Sequence, residues 1–272
     1  MLYKQNLHTH TVYADGKNTA EELILEAIKK GFTSIGFSEH SYMSFSDYPY
    51  QMTVEDAENY KREVRALKEK YKNQIDVFCG LEYEYFSEVP LYGYDYLIGS
   101  VHYLEIDGKK VGFDRSLDAV LLFLNTHFNG DGLAVAKSYF ERIKALPTLG
   151  QFDILGHFDV LTKTNEKGKF LDETDERYLA YGIDAIRSLK SKIPLFEVNT
   201  GAIGRGYKST PYPNLEFMKE FKKQGYGAVI TSDCHNKDFL DCGYDLAKEM
   251  LLEAGFKSKF ILTNSGFKEV DL

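Results

Sequence analysis

Short apolar runs alternate with longer amphipathic stretches along the whole chain. The runs are rich in β-branched and aromatic side chains, and glycines flank several of them. Short runs of this kind favour strands that are buried on both faces of a parallel sheet. The first strand is expected to end at 6–10, and the later runs are 33–37, 75–81, 96–101, 153–156, 194–198, 227–231 and 260–262.

Helical periodicity fills the intervals between these runs. The first helix opens on Thr19 with Glu22 three residues later, which is the pattern of a capping box, and Gly31 ends its apolar stripe. The other predicted helices are 53–70, 134–146, 175–190, 215–224 and 239–254. Strand and helix repeated in this way predict parallel β/α units, and the length without an internal boundary favours one closed barrel over a doubly wound sheet.

One segment, 103–132, departs from the β/α pattern. Asp107-Gly108 predicts a hairpin-like turn, and 117–124 is a further apolar stretch. We therefore expect an insertion over one rim of the barrel. The chain has no internal repeat and no linker, so 1–272 is expected to form a single domain.

Composition narrows the range of partners. The 272 residues carry a formal net charge of −8 and have a sequence pI near 5.5, so a nucleic acid held along its phosphates is not expected, whereas a small phosphate ester at a local cationic site is compatible. The apolar stretches are too short to span a bilayer and no signal peptide is recognisable, which predicts a cytoplasmic protein with reduced cysteines. The oligomeric state stays open.

Six of the seven histidines fall at the C-terminal ends of predicted parallel strands, the face on which β/α barrels build active sites. One histidine in such a place is more often structural than a ligand, but nine N and O ligands exceed the four of a structural zinc site. Together they suit Zn²⁺, Mn²⁺ or Fe²⁺ in a multinuclear centre. The candidate ligands are His8, His10, Asp15, His40, Glu82, His102, His157, Asp233 and His235. The seventh histidine, His127, lies in the insertion and is treated as a surface or structural residue.

In chain order these residues form motifs that resemble the polymerase and histidinol phosphatase (PHP) family. The motifs are His8-x-His10, Asp15, Glu39-His40, Gly80-Leu81-Glu82, Ser100-x-His102, Gly156-His157-x-Asp159 and Ser232-Asp233-x-His235. The resemblance covers essentially the whole chain. The stretch Glu197-Val198-Asn199-Thr200, with Arg205 after it, is similar to the histidinol-phosphatase branch. The resemblance implies a distorted seven-stranded β/α barrel with two or three divalent metal ions at the C-terminal face of its strands.

The resemblance also implies how the ligands are shared among the metal ions. One ion would take His8, His10, Glu82 and Asp233. A second would share Glu82 and add His102 and His157. A third would use Asp15, His40 and His235.

The activity that the resemblance implies is hydrolysis of L-histidinol phosphate to L-histidinol and phosphate, a step of histidine biosynthesis. A hydroxide bridging two metals would be the nucleophile, because metal binding lowers the pKa of water to about 7; Asp233 and His235 would hold the reacting centre. Arg205 is expected to bind phosphate through its planar fork. Members of this branch often carry an arginine after the histidine of the His157 motif, where this chain has Leu161-Thr162-Lys163, so the cationic contact from that loop would be Lys163.

Some alternatives remain open at the level of sequence. Glu39 is a candidate substrate contact, but it faces opposite to His40 on a strand, which favours a supporting or salt-bridge role instead. Asp159 has the spacing to orient His157. The protein could act on another small phosphate ester or a nucleotide, or be a catalytically silent metal-binding module, although no expected ligand is missing. A 3′ exonuclease is disfavoured because the chain has no basic stripe.

Overall fold

The structure, a computed structural model, describes residues 3–45 and 51–272 as an α/β protein. Its strands are β1 (Gln5–Asn6), β2 (Ser34–His40), β3 (Asp76–Glu84), β4 (Tyr96–Ser100), β5 (Tyr103–Ile106), β6 (Lys109–Gly112), β7 (Ile154–Leu155), β8 (Leu195–Asn199), β9 (Gly227–Thr231), β10 (Ser258–Thr263) and β11 (Gly266–Asp271). Its helices are α1 (Ala20–Lys29), α2 (Val54–Tyr71), α3 (Leu117–Phe128), α4 (Gly132–Ala145), α5 (Asn165–Gly168), α6 (Glu176–Leu189), α7 (Gly201–Gly204), α8 (Leu215–Gln224) and α9 (Tyr244–Glu253).

A parallel sheet with the order β1-β2-β3-β4-β7-β8-β9 forms a nearly closed, seven-stranded barrel within the described residues. One bridge between Thr9 and Cys234 joins its two edges. There the backbone N–H of His10 donates to the carbonyl of Cys234 at 2.9 Å, and that of Cys234 donates to the carbonyl of His8 at 3.0 Å. The closure brings the chain after β1 against the chain after β9, so that the first and last ligand motifs meet.

Local sequence signals account for most of the outer helices. The capping box of α1 is present, because the Thr19 hydroxyl accepts from the Glu22 N–H at 3.2 Å and the Glu22 carboxylate accepts from the Thr19 N–H at 3.0 Å. Aromatic rings from α4, α6 and α8 pack against one another in the core. Phe158, which directly follows His157, packs there against Phe140 and Phe217 with ring centroids 5.1 and 5.3 Å apart. This packing fixes the backbone on which the His157 motif stands.

Tyr96 fills the barrel interior between β2 and β3. Its ring lies against Gly36 of β2 and Gly80 of β3, where a Cβ atom would come within 2.5 and 2.3 Å of the Tyr96 side chain. The Tyr96 hydroxyl donates to the carbonyls of Leu7 and Phe37. Glycines at these two strand positions are therefore a packing requirement for this ring.

The expected insertion leaves the barrel between β4 and β7. Its hairpin is confirmed: β5 and β6 pair antiparallel, and Asp107 and Gly108 turn the chain with φ of 51° and 74°. The N–H of Phe113 donates to the carbonyl of His102 at 3.1 Å, which returns the segment to the rim. Among the residues that the structure describes, no helix has the length and apolarity needed to cross a membrane.

Two expectations about the last part of the chain were wrong. The run 260–262 is not a barrel strand, because β10 pairs antiparallel with β11 in a separate ribbon. The Gln5 side chain bonds both the N–H and the carbonyl of Leu262 at 2.8 Å, which seats this ribbon at the N-terminal end of the barrel. The helix expected from 239 begins only at Tyr244, because Gly243 adopts a left-handed conformation with φ of 75° and interrupts the periodicity.

Candidate metal centre

All nine sequence-predicted ligands meet above the C-terminal ends of the barrel strands. Parallel pairing sets two of them side by side, since His40 of β2 is in register with Glu82 of β3. The others stand on the loops that leave β1, β4, β7 and β9. Asp15 reaches the same point through a turn closed by the Gly16 N–H on the carbonyl of Thr11 at 2.9 Å. Only glycine fits at position 16, because a Cβ there would lie 2.1 Å from the carbonyl oxygen of His10.

The side chains form three overlapping groups, in each of which the potential ligand atoms lie within 4.8 Å of one another. The groups are His8–His10–Asp233, Glu82–His102–His157 and His10–Asp15–His40–His235. They resemble the three ligand sets that the resemblance implies, with two differences: Glu82 is not a member of the His8 group, and His10 is also a member of the third. The structure thus brings together every candidate ligand.

Glu82 stands between the groups and directs one oxygen to each side. Its Oε1 lies 2.8 Å from Nε2 of His157 and 3.4 Å from Nε2 of His102. Its Oε2 lies 2.7 Å from Nδ1 of His40 and 3.4 Å from Nε2 of His8. A carboxylate divided in this way has the geometry of a bridging ligand.

The buried polar atoms of this cluster leave a deficit of hydrogen bonds. Within the described part of the chain, Nε2 of His8 and both ring nitrogens of His10 are buried without a hydrogen-bond partner. Oε2 of Glu82 and Oδ1 of Asp15 lie beside histidine nitrogens but make no well-aligned hydrogen bond to them. Leaving a single buried polar atom unpaired costs about 1–3 kcal/mol. Several converging N and O atoms in this state fit divalent metal ions, which supply the missing partners.

Carboxylates behind the ligands fix the histidine rings. Oε2 of Glu197 lies 2.9 Å from Nδ1 of His8, and Oε1 of Glu197 accepts from the N–H of His157 at 2.6 Å. Oε2 of Glu84 lies 2.9 Å from Nδ1 of His102. A proton on Nδ1 leaves Nε2 of His8 and His102 as the lone-pair donor toward the centre.

The sequence reasoning assigned no role to Glu84 or Glu197. The sequence did contain a signal for Glu84, because Glu84 follows Glu82 by two residues on β3 and so shares its face of the strand. Glu197 shares a face of β8 with Asn199, whose amide donates to Glu197 at 2.9 Å.

The carboxylates of the centre favour their ionised forms. Burial opposes ionisation, but the neighbouring His40, His8 and His102 rings hold the pKa of Glu82 well below its usual value. In the same way burial raises the pKa of Asp233, whereas Arg205 and His8 outweigh it and hold that pKa low. Ionised carboxylates are the form that binds metal ions.

A cavity of about 900 Å³ opens over the centre. Its lining includes candidate ligands and three cationic side chains, Arg115, Lys163 and Arg205, together with Asp114 and Tyr207. Arg115, Asp114 and Tyr207 were not singled out by the sequence. Asp114 and Arg115 follow the hairpin of the insertion, whose return to the rim could not be read from local periodicity.

Arg205 supports two candidate ligands from behind. Its Nη2 donates to Oδ2 of Asp233 at 3.0 Å, and its Nη1 donates to the Asp233 carbonyl at 3.0 Å and lies 2.9 Å from Nδ1 of His235. The N–H on Nε is buried and has no acceptor among the described residues. A guanidinium carries five N–H donors, so Arg205 retains donors for a further anion.

Lys163 lines the same cavity. Its Nζ lies 2.6 Å from Oδ1 of Asp114 and 5.2 Å from the centroid of the Tyr207 ring. The ion pair holds the ammonium at the cavity wall. From there the ammonium could bind an anionic ligand, either together with Asp114 or in its place.

Three other residues considered from the sequence lie away from this cavity lining. Glu39 is fully buried and accepts from the Thr11 N–H at 2.8 Å, and burial raises its pKa to about 8. Its position supports the chain beside His10, and the described lining of the cavity does not include it. Asp159 accepts from the Asn214 N–H at 3.0 Å rather than from His157, whose Nδ1 has no partner among the described residues. His127 is exposed on α3.

Comparisons with known proteins place this geometry in context. The PHP domain family matches residues 6–200. A probable histidinol-phosphatase of Schizosaccharomyces pombe is 28% identical over 92% of this chain and 87% of its own length. The histidinol-phosphatase of Bacillus subtilis is 27% identical over 93% of this chain and 99% of its own length.

A solved structure has the same fold. The histidinol phosphate phosphatase of Lactococcus lactis, in complex with zinc, L-histidinol and phosphate, aligns with a TM-score of 0.73 at 19% identity. The match covers 98% of this chain and all of that one. The likeness confirms the β/α barrel expected from the sequence.

Proposed function

This chain belongs to the PHP domain family, and from that premise we propose that it is a metal-dependent phosphomonoesterase that hydrolyses L-histidinol phosphate to L-histidinol and phosphate. Full-length similarity to proteins named histidinol-phosphatase supports the substrate. The observation that carries the proposal is the joint lining of one cavity by the three ligand groups and by Arg205 and Lys163. Histidine biosynthesis is the corresponding process, and the cytoplasm is the expected location.

We propose that the three groups hold two or three divalent ions, of which Zn²⁺, Mn²⁺ and Fe²⁺ suit the mixed imidazole and carboxylate ligands. When bound, such ions polarise a phosphoryl oxygen and lower the pKa of a coordinated water to about 7, which provides a nucleophile at neutral pH. Glu82 would join two of the sites through its two oxygens. Asp233 and His235 would hold the ions nearest to the cationic wall of the cavity.

The remaining roles belong to the side chains of this cavity. Arg205 and Lys163 would bind the non-bridging oxygens of the phosphate, since charge-assisted hydrogen bonds from a fork and from an ammonium suit a dianion. Positions of these donors are fixed before substrate binds, by Asp233 for Arg205 and by Asp114 for Lys163. Donors held in this way stabilise the charge of the transition state without reorganisation.

The test is release of phosphate from L-histidinol phosphate by the metal-loaded protein, measured as kcat/KM beside a panel of common phosphomonoesters. We expect a value above about 10⁴ M⁻¹s⁻¹ that clearly exceeds those of the other esters. Slow release from all esters alike would reject L-histidinol phosphate as the substrate and favour a PHP phosphoesterase for another small ester or nucleotide.

The metal requirement is tested with Glu82→Ala. Because both oxygens of Glu82 face ligand groups, we expect this variant to lose bound metal and nearly all turnover. His127→Ala, which removes an exposed histidine outside the cavity lining, is the matched control and should retain both. Full metal content and activity in Glu82→Ala would contradict the proposed centre.

A further inference from the structure

A second recess adjoins the large cavity between the ends of β2 and β3 and the β5–β6 hairpin. Its free space is about 530 Å³ when the part open to solvent is included. His102 and Asp114 line both spaces, so the recess is continuous with the cavity over the metal centre. Its other walls include Ser41, Met43, Glu84, Tyr103 and Gly112.

Three carboxylates line the recess, and two of them have neighbours that account for their position. Glu82 faces the histidine rings of the centre. Asp114 is paired with Lys163 at 2.6 Å. Glu84 differs, because its Oε2 accepts from the backbone N–H of His102 at 2.7 Å, whereas its Oε1 is buried and has no donor among the described residues.

Oε1 of Glu84 lacks a hydrogen-bond donor among the described residues, and a bound ligand could supply one. A buried acceptor without a partner costs about 1–3 kcal/mol, and such atoms are rare in folded proteins. A metal ion is not expected to be the missing partner of Oε1, because Glu84 does not belong to any of the three candidate ligand groups. A donor that arrives with a ligand would remove this cost and would make a charge-assisted hydrogen bond.

The shape of the substrate decides which donor reaches this point. In L-histidinol phosphate the ammonium is carried by the carbon next to the ester methylene, so it stays close to the phosphate. The imidazole ring is at the far end and extends away from the phosphate into an adjoining space. Met43 and Tyr103 provide apolar wall area for a flat ring, and Glu84 provides an acceptor for its N–H.

Resting on the proposed function, we propose that Glu84 is a specificity residue whose Oε1 accepts a hydrogen bond from the imidazole N–H of the substrate. The same side chain fixes His102 through Oε2. The Glu84 carboxylate would thus bind the imidazole ring of the substrate with one oxygen and orient the candidate ligand His102 with the other.

The variant Glu84→Gln separates these two tasks. The N–H and Nδ1 of His102 both require an acceptor, so the amide oxygen is expected to take the place of Oε2. The amide NH₂ then takes the place of Oε1 and turns an acceptor into a donor. Orientation of His102 is kept, while the bond to the ring N–H is lost.

The experiment compares kcat/KM for L-histidinol phosphate and for L-phenylalaninol phosphate, which keeps the ammonium and the phosphate but has no ring N–H. We expect Glu84→Gln to lower the ratio of the two values at least tenfold, with metal content equal to that of the wild type. Glu105→Gln, an exposed carboxylate on β5, is the matched control and should leave the ratio unchanged.

The outcomes distinguish this inference from the proposed function. If the wild type does not favour L-histidinol phosphate, the proposed function itself fails. If the wild type favours it and Glu84→Gln keeps the same ratio, the assignment of Glu84 is overturned. An equal loss on both esters together with lost metal would show that Glu84 acts only through His102, which also overturns it.

Discussion

Asp233 illustrates how tightly a single candidate ligand is held by its neighbours. Its backbone adopts φ of 44°, a left-handed conformation that is uncommon for residues other than glycine. Its Oδ1 lies 3.3 Å from Nε2 of His10, while Oδ2 and the carbonyl receive donors from Arg205. Strain of this kind persists where surrounding contacts determine the conformation, which is typical of functional sites.

Arg205→Ala should impair catalysis more than metal binding. Arg205 contacts Oδ2 of Asp233 and Nδ1 of His235, whereas Oδ1 of Asp233 and Nε2 of His235 face the other ligands. We expect kcat/KM for L-histidinol phosphate to fall about 10²–10³-fold, the usual effect of removing a donor to a developing charge. Metal analysis should give the wild-type content, and Arg205→Lys should be intermediate because it keeps the charge without the fork. Loss of metal in proportion to activity would contradict a phosphate-binding role.

Lys259 gives a pH-dependent prediction far from the site. It is 1% exposed, its Nζ donates to the carbonyl of Tyr3 at 2.8 Å, and burial lowers its pKa to about 8. Between pH 8 and the unfolded pKa of about 10.4 the unfolded chain binds more protons, so the contribution of Lys259 to the free energy of unfolding rises with pH. Lys259→Met should therefore be more stable than the wild type by about 1–2 kcal/mol at pH 7, after the lost hydrogen bond is counted.

Urea unfolding of both proteins from pH 7 to pH 10 measures this difference. The advantage of Lys259→Met should shrink as the pH rises through 8, because the wild-type ammonium then loses its proton in the folded state. A difference that stays constant over this range would show that the pKa of Lys259 is not lowered in the folded protein.

At the scale of elements, the alternation of side chains between the two faces of a strand is the basis of most of the predicted site residues. Period-two spacing and the position of histidines and carboxylates after apolar runs located the candidate ligands of β1, β2, β3 and β9, because both signals depend only on local sequence. Pairing between distant segments was not predictable in this way. The run 260–262 has the composition of a barrel strand, yet its pairing with 266–271 places it in a separate ribbon.

The same limit applies to the site. Glu84 and Glu197 share a strand face with residues that the sequence singled out or quoted, but the partner of each depends on which loop lies opposite. Asp114 and Arg115 were missed because the hairpin returns to the rim through a tertiary contact at His102. Sequence thus predicted the side chains on the rim and not the carboxylates that support them.

Gly80→Ala tests the packing of the Tyr96 ring against the strands below the rim. The new Cβ would lie 2.3 Å from Cζ of Tyr96, a ring held by hydrogen bonds to Leu7 and Phe37. Overpacking of a filled core usually costs about 1–3 kcal/mol, and we expect this loss in urea unfolding. Replacing Tyr96 by leucine in the same chain should recover part of it, since the two residues are in contact. Two independent, additive losses would contradict this packing account.

On the scale of the whole molecule, the centre joins segments that are distant in sequence. His8 and His10 leave the first strand, while Asp233 and His235 follow the last barrel strand, and the bridge between Thr9 and Cys234 is where the two ends of the sheet meet. Ions that bind these four side chains would therefore fasten the closure of the barrel. Metal binding and global stability are expected to be linked.

Chelation measures that link. Removing metal would leave Glu82, Asp15 and Asp233 close together and would leave buried ring nitrogens without partners, so the metal-free protein should unfold at a lower Tm and have no phosphatase activity. A ligand at 100 times its Kd stabilises a folded state by about 2.7 kcal/mol, and several ions should shift Tm by several degrees. Adding back Zn²⁺ or Mn²⁺ should restore Tm and turnover together, whereas His157→Ala should show a smaller shift on chelation because one group is already incomplete. Unchanged Tm and activity in protein shown by metal analysis to be metal-free would mean that the cluster is stable and active without ions, and the proposed centre would be rejected.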